Sequence, residues 1–172
     1  AEIRLYINSP GGEVWDAMAI VNLLRRHPAR VVAIVDGIAA SAASVIAVTA
    51  DETVMGVGSQ MMIHDAWNIA IGDEADMLSM ADRLGKSSDA LARIYAQKAG
   101  GTVDEWRDLM RAETWFYGAE AVAAGLADRA EGGEPAAGAA RAQFDLSPFR
   151  YQGRGSAPAP TSAALSRTRT YE

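Results

Sequence analysis

The chain has no cysteine among its 172 residues, and this absence removes several kinds of chemistry at once. A disulfide framework, a thiol nucleophile and cysteine-based zinc sites are all excluded. Histidine is nearly as scarce, with two residues in the whole chain, which leaves few candidates for a general base. The lack of cysteine also fits a reducing compartment, so we expect a cytoplasmic protein.

Basic residues and long hydrophobic runs are also in short supply. The chain has 16 Lys and Arg against 22 Asp and Glu, and the acidic residues are scattered rather than clustered. A nucleic-acid partner is not expected, because such proteins usually present a basic face. The longest weakly polar stretch, residues 38–50, is shorter than the roughly 20 apolar residues that cross a membrane. We therefore expect neither a nucleic acid nor a membrane as partner.

The first 130 residues alternate between strand and helix patterns. Residues 3–8 alternate apolar with polar side chains, residues 14–26 form an amphipathic helix that ends at a proline, and residues 31–35 are a β-branched run. This alternation predicts an α/β domain with a mainly parallel sheet. Further elements are expected at residues 53–55, 60–63, 73–99, 103–111 and 119–124, and a small-residue helix is expected to follow a tight loop that begins at Gly37.

The composition changes after residue 130. Residues 131–172 are mostly Ala, Gly, Pro, Ser and Arg, with too few apolar side chains to offset the entropy lost on ordering. We therefore predict one domain at residues 1–130, followed by a low-complexity, disordered tail at residues 131–172. Within that tail, Phe144, Phe149 and Tyr151 are the side chains able to dock locally.

One serine and one of the two histidines are candidates for chemistry. His27 lies at an exposed helix end before a proline, where it complements the helix dipole. His64 ends an apolar strand, which on its own is most often a structural position. Ser41 lies among alanines at the start of a small-residue helix, where free N–H groups can stabilise an oxyanion. The same pattern fits a simple N-cap serine, and the G-x-S-x-G motif is not matched.

Three segments are informative when they are taken together: residues 7–12 (INSPGG), 37–42 (GIAASA) and 62–64 (MIH). Their order and separation resemble those of the ClpP peptidase family. A fourth segment, residues 120–128, is similar to the family's C-terminal landmark. The resemblance spans residues 2–129 and implies the crotonase-like ββα fold of ClpP, with the N-terminal segment of that fold missing from this chain.

The resemblance also implies roles for individual residues. Ser41 corresponds to the nucleophile and His64 to the general base. The backbone N–H groups of Gly12 and Ala42 correspond to the oxyanion hole. The family mechanism needs no metal and no cofactor.

The third catalytic residue departs from the family pattern. The family's aspartate falls on Glu113, and a glutamate can orient a histidine although its extra methylene changes the geometry. Asp65 is a rival for this role. Because adjacent residues of a strand point to opposite faces, Asp65 is not expected to reach the ring of His64. A water, or no acid at all, remains a further alternative.

The resemblance further implies how a substrate binds and how subunits assemble. A peptide is expected to lie as an added strand beside Gly12, Glu13 and Val14. Residues 69–72 and the long helix after them are similar to the ClpP handle, which joins two rings, so we expect a homo-oligomeric ring. The family docks its ATPase through the N-terminal segment. Because that segment is expected to be missing from this chain, an ATPase partner is doubtful.

Two further departures are similar to the head-maturation (prohead) proteases of tailed phages. They are residues 65–67 (DAW) and 112–116 (AETWF). They predict an ATP-independent serine endopeptidase that processes scaffold or capsid precursors in the host cytoplasm or the prohead. Three alternatives stay open: a housekeeping ClpP-like subunit that works with an ATPase, an acyl-CoA enzyme on the same fold, and an inactive scaffold subunit.

Overall fold

The computed structural model describes residues 1–132 and 144–165, which form a mixed α/β structure around one sheet. The strands are β1 (Glu2–Ser9), β2 (Arg30–Ala40), β3 (Glu52–Met55), β4 (Gln60–Ile63), β5 (Thr114–Tyr117) and β6 (Arg129–Ala130). The helices are α1 (Val14–Arg26), α2 (Ala42–Val48), α3 (Glu74–Ala99), α4 (Val103–Arg111), α5 (Gly118–Ala123) and α6 (Ser162–Leu165).

The sheet is mainly parallel, which confirms the prediction from the alternating pattern. Strand β2 pairs in parallel with β1, β3 and β4, and β3 pairs in parallel with β6. The exception is β5, which runs antiparallel to β4. Sequence reasoning did not predict β5, because it has four residues, three of them buried, and therefore lacks the alternation of a half-buried strand.

Strand β2 is longer than the sequence predicted, and its extra length places the candidate serine. Its first half pairs with β3, and its continuation through Gly37 pairs with β4. The side chain of Asn8 on β1 accepts a hydrogen bond from the Ile38 N–H at 3.2 Å. A Cβ at Gly37 would lie 2.6 Å from Asn8 Oδ1, so glycine allows this close approach. Strand β2 therefore ends at Ala40, directly before Ser41.

The helices pack their apolar sides against the sheet and form one main core. Buried side chains from α2, α3 and α4 meet those of the central strands. Helix α4 begins with a capping box formed by Thr102 and Glu105, and α3 has a second one at Asp73 and Asp76. Within residues 1–132 and 144–165, no helix has both the length and the apolar character that crossing a membrane demands.

The expectation of a disordered tail does not hold for residues 144–165. Ile38, Ala40, Met62, Trp115 and Ala157 form a second buried cluster, and Phe144, Leu146, Phe149 and Tyr151 pack against it. The scattered aromatic residues therefore reach an apolar patch on the sheet that composition alone does not reveal. The rest of the predicted tail beyond residue 132 lies outside the described residues.

Candidate active site

Ser41 stands on a strained turn between β2 and α2. Its backbone has φ 54° and ψ −127°, a conformation that is rare for a residue with a side chain. Its N–H donates to the Met62 carbonyl of β4 at 2.9 Å, which fixes the turn against the neighbouring strand. Although Ser41 is at the N-cap position, its side chain makes no capping hydrogen bond. The hydroxyl is therefore free to meet another partner.

That partner is His64, directly after β4. Ser41 Oγ and His64 Nε2 are 2.7 Å apart, within hydrogen-bonding distance. When the hydroxyl donates to Nε2, the neutral ring carries its proton on Nδ1. Burial lowers the pKa of His64 from its ordinary value of 6.5, while the charges of Glu113 and Asp65 act in the opposite direction. The ring is therefore held neutral near pH 7, as a general base requires.

Two glycines bring a second loop against Ser41. Gly11 has φ 104°, and a Cβ there would lie 2.7 Å from Ser41 Cβ and 2.8 Å from the Ala40 carbonyl oxygen. The added Cβ would also lie 3.1 Å from the Ala42 nitrogen. As the first residue of α2, Ala42 has no intrahelical acceptor for its N–H. A Cβ at the adjacent Gly12 would meet open space, so this backbone is accessible.

A largely apolar pocket of about 400 Å³ opens beside these backbone donors. Its lining includes Ile7, Ala17, Ile20, Ala43 and Ile46, together with Gly12 and Ala42. Glu13, in the predicted substrate strand, also lines it and is extended at φ −66° and ψ 125°. Val14 is already the first residue of α1, so the extended edge predicted for residues 12–14 ends at Glu13.

Glu113 lies between α4 and β5 with φ 53° and is 8% exposed. Its Oε1 accepts hydrogen bonds from Trp115 Nε1 at 3.1 Å and from the Tyr151 N–H at 2.9 Å. Its Oε2 accepts one from the Arg150 N–H at 2.7 Å. These bonds join the carboxylate to Trp115 and to residues 150–151 rather than to His64. Its charge is nonetheless near enough to raise the pKa of His64 against the effect of burial.

The rival acid, Asp65, is engaged elsewhere. Arg107 of α4 donates to both of its carboxylate oxygens, from Nε at 3.1 Å and from a terminal nitrogen at 3.0 Å. The same guanidinium also bonds Asp89 and the Gly85 carbonyl of α3. This two-point contact directs Asp65 towards Arg107, and of the two acids Glu113 has the larger charge effect on the pKa of His64. The described residues contain no group of three or more acidic or histidine side chains arranged to bind a metal ion.

Several residues around the site were not predicted from the sequence. Ser44 donates from its hydroxyl to the Ser41 carbonyl at 2.6 Å, and the buried Tyr95 hydroxyl lies 2.7 Å from Ser44 Oγ. Because the Ser44 proton is used, Tyr95 is the donor in that pair. The Phe149 ring meets His64 edge to face, with centroids 5.4 Å apart. These contacts join residues far apart in the chain, and the sole local signal was the aromatic content of residues 144–151.

Comparisons with known proteins agree with this arrangement of strand, turn and helix. The Clp protease family profile matches residues 1–131. The ATP-dependent Clp protease proteolytic subunits of Streptococcus pyogenes serotype M5 (strain Manfredo), serotype M49 (strain NZ131) and serotype M3 (strain SSI-1) are each 34% identical over 131 residues. Each alignment covers 74% of this chain and 67% of the relative. The strands and helices described above are those of a Clp protease domain, and the chain belongs to the Clp protease family.

Proposed function

We propose that this chain is an ATP-independent serine endopeptidase in which Ser41 is the nucleophile and His64 the general base. The observation that carries the proposal is the 2.7 Å contact between Ser41 Oγ and His64 Nε2. The left-handed backbone of Ser41 supports it, because strain of this kind persists where a side chain must be aimed. An acyl-CoA enzyme on this fold would need no such pair.

The reaction follows from the groups present. Ser41 Oγ attacks a peptide carbonyl carbon while its proton passes to His64 Nε2. The carbonyl oxygen becomes an oxyanion, which the N–H groups of Gly12 and Ala42 stabilise; one such donor contributes about 3–4 kcal/mol in subtilisin. His64 then protonates the leaving amine as the C–N bond breaks. A water, deprotonated by His64, hydrolyses the acyl-enzyme and regenerates Ser41.

Glu113 completes the site as the residue that orients His64. Its carboxylate accepts three hydrogen bonds, and a carboxylate has about four acceptor positions. One position therefore remains for the Nδ1 proton of His64. The charge also stabilises the imidazolium that forms when Ser41 loses its proton.

The apolar pocket supports a preference for an apolar side chain next to the scissile bond. It adjoins both oxyanion donors, and its carboxylates, Glu13 and Asp16, would repel an acidic residue. The extended backbone at Glu13 suits a substrate strand that pairs alongside it. Cleavage within accessible, extended segments follows from this mode of binding.

Fluorophosphonate labelling tests the nucleophile. The unmodified chain should acquire one adduct, located by peptide mass spectrometry on Ser41. Ser41→Ala should not react, whereas Ser79→Ala, which removes an exposed hydroxyl on α3, serves as the labelled control. An adduct on any other serine, or none, would refute the assignment.

The proposed substrates are scaffold or capsid precursors processed during head maturation, with the enzyme acting as a homo-oligomeric ring. Two segments that resemble the phage enzymes support this proposal, and both are tied to the site. Asp65 follows the catalytic histidine and is held by Arg107, and Trp115 donates to Glu113. Extended precursor arms satisfy the requirement for a free substrate backbone without an unfolding partner.

The experiment is intact-mass analysis of a co-expressed scaffold or capsid precursor with the active chain and with Ser41→Ala. We expect a few defined cleavages with the active chain alone, without added ATP. Identical precursor masses in both would refute precursor processing. Strict dependence on ATP would instead favour the second candidate, a subunit working with an ATPase, to which the names of the Streptococcus pyogenes relatives point.

A further inference from the structure

The carboxylate of Glu113 is held by a part of the chain that lies outside the matched family region. That match ends at residue 131, whereas two of the three donors to Glu113 are the N–H groups of Arg150 and Tyr151. Residues 144–157, which we name the C-terminal strap, thus reach a group in the candidate active site. Resting on the proposed function, we propose that the strap is a positioning element of the catalytic site, which fixes Glu113 and, through it, the ring of His64.

The strap is anchored on both sides of its contact with Glu113. On one side, Phe144, Leu146, Phe149 and Tyr151 pack against the apolar cluster around Trp115 and Met62. On the other side, Arg154 forms a two-point ion pair with Glu120, and its N–H donates to the Gln60 side chain at 2.8 Å. Two anchors around residues 150–151 hold their N–H groups in place, as preorganised donors must be held.

The strap also contacts the base directly. The Phe149 ring meets both His64 and Trp115 edge to face, with centroid distances of 5.4 and 6.3 Å. Phe149 therefore restricts the imidazole on one side while its neighbours hold the acid. The charged groups that influence His64 are Glu113 and Asp65, and Asp65 is itself paired with Arg107.

The backbone donors give a sharp test in the full chain. Arg150→Pro removes the N–H that bonds Glu113, while Arg150→Ala keeps it and changes only an exposed side chain. We measure the rate of fluorophosphonate labelling at Ser41 across pH, together with the melting temperature. The proline variant should label about 10- to 100-fold more slowly than the alanine control, as expected when a hydrogen bond to a charged group is lost.

The pH profile separates positioning from a general loss of stability. Because the charge of Glu113 raises the pKa of His64, a carboxylate that drifts away should move the acidic limb of the labelling profile to lower pH. Arg154→Ala, which loosens one anchor without removing a donor to Glu113, should shift the limb in the same direction. If the proline variant fails to fold, the shift of the acidic limb in Arg154→Ala tests the proposal by itself.

The outcomes distinguish the strap from the peptidase itself. Equal rates and unshifted limbs in Arg150→Ala, Arg150→Pro and Arg154→Ala would overturn the strap's role while leaving the peptidase assignment intact. Faster labelling after the proline change would also overturn it, because the strap would then be a cover over the site. No labelling of the unmodified chain would overturn both proposals together.

Discussion

At the scale of single residues, strain is concentrated at the candidate active site. In the described part of the chain, Ser41 and Glu113 are the two non-glycine residues with positive φ. Each such conformation costs about 1–3 kcal/mol and persists where the surrounding contacts determine it. Ser41 is fixed through Met62 and Ser44, and Glu113 through Trp115 and the strap. The strain thus coincides with the proposed nucleophile and the proposed acid, which are about 70 residues apart in sequence.

In the proposed mechanism, the pKa of His64 determines the pH dependence of the reaction. Since burial lowers that pKa, the ring of His64 remains neutral at a lower pH than the ring of an exposed histidine. Activity should therefore reach its plateau at a lower pH as well. We expect the acidic limb of the Ser41 labelling rate to have its midpoint below 6.5, the ordinary histidine value. A midpoint above 7 would contradict this prediction, and His64→Ala should abolish the limb along with the rate.

The contact between Gly11 and Ser41 predicts that a single methyl group disables the site. Gly11→Ala places a Cβ within 2.7 Å of Ser41 Cβ, in a backbone conformation that disfavours side chains. The loop must then move away from α2, taking a donor out of the oxyanion hole, so labelling should slow by about 10²–10³-fold.

The matched control for this glycine is Gly85 in α3, where an added Cβ meets nothing within 4 Å. Gly85→Ala should keep the labelling rate and raise the free energy of unfolding by about 0.5–1 kcal/mol. Equal labelling by both alanine variants would show that the close approach of Gly11 is unimportant.

At the scale of secondary-structure elements, Arg107 joins α4 to α3 and to the loop that follows His64. Its guanidinium is largely buried and bonds Asp65, Asp89 and the Gly85 carbonyl. A lysine has no planar fork and cannot reproduce these bonds. Arg107→Lys should therefore lower the free energy of unfolding by about 1–3 kcal/mol, measured by urea denaturation, and slow Ser41 labelling as Asp65 is released.

Arg111 on the same helix provides the control for Arg107. It pairs with Asp108 three residues earlier, and both side chains are exposed. Arg111→Ala should change the unfolding free energy by less than about 0.5 kcal/mol. Comparable losses of unfolding free energy in Arg107→Lys and Arg111→Ala would mean that the contacts of Arg107 stabilise the fold no more than an exposed ion pair does.

The strand and helix pattern of the first 130 residues was predictable because periodicity and caps are local signals. The bounds of α1, the capping box at Thr102 and the parallel sheet follow from neighbouring residues. The longer β2, the short β5 and the docked strap depend on partners distant in the chain, such as Asn8 for Gly37 and β4 for β5.

The candidate site was likewise predictable only in part. Ser41 and His64 were recognisable together from motif order, and the structure brings their side chains into contact. The environment of Glu113 was not predictable, because its hydrogen-bond donors belong to Trp115 and to a segment whose composition indicated disorder. Backbone N–H donors carry no residue identity, so no sequence pattern marks them.

At the scale of the whole molecule, apolar side chains remain exposed around the loop between β4 and α3. Trp67, Ile69, Ile71 and Leu78 are 56–95% exposed in the isolated chain. An apolar patch of this kind indicates an interaction surface, and the proposed ring assembly would cover it. Ile71→Asp should therefore yield a smaller particle than the unmodified chain in analytical ultracentrifugation.

Ile71→Val is the control for this prediction, because it keeps an apolar side chain of nearly the same shape. It should sediment like the unmodified chain. If Ile71→Asp also leaves the sedimentation unchanged, the exposed loop lies outside the assembly surface.

The position of the strap in the sequence has a consequence for the timing of synthesis. Ser41, His64 and Glu113 all leave the ribosome before residues 144–157, and domains fold as their residues emerge. A nascent chain can thus form its sheet and the Ser41–His64 contact while Glu113 still lacks two of its three donors. Full activity would begin when the strap docks, so a protease made among unfolded neighbours in the translating cell would stay slow until residues 144–157 have been synthesised.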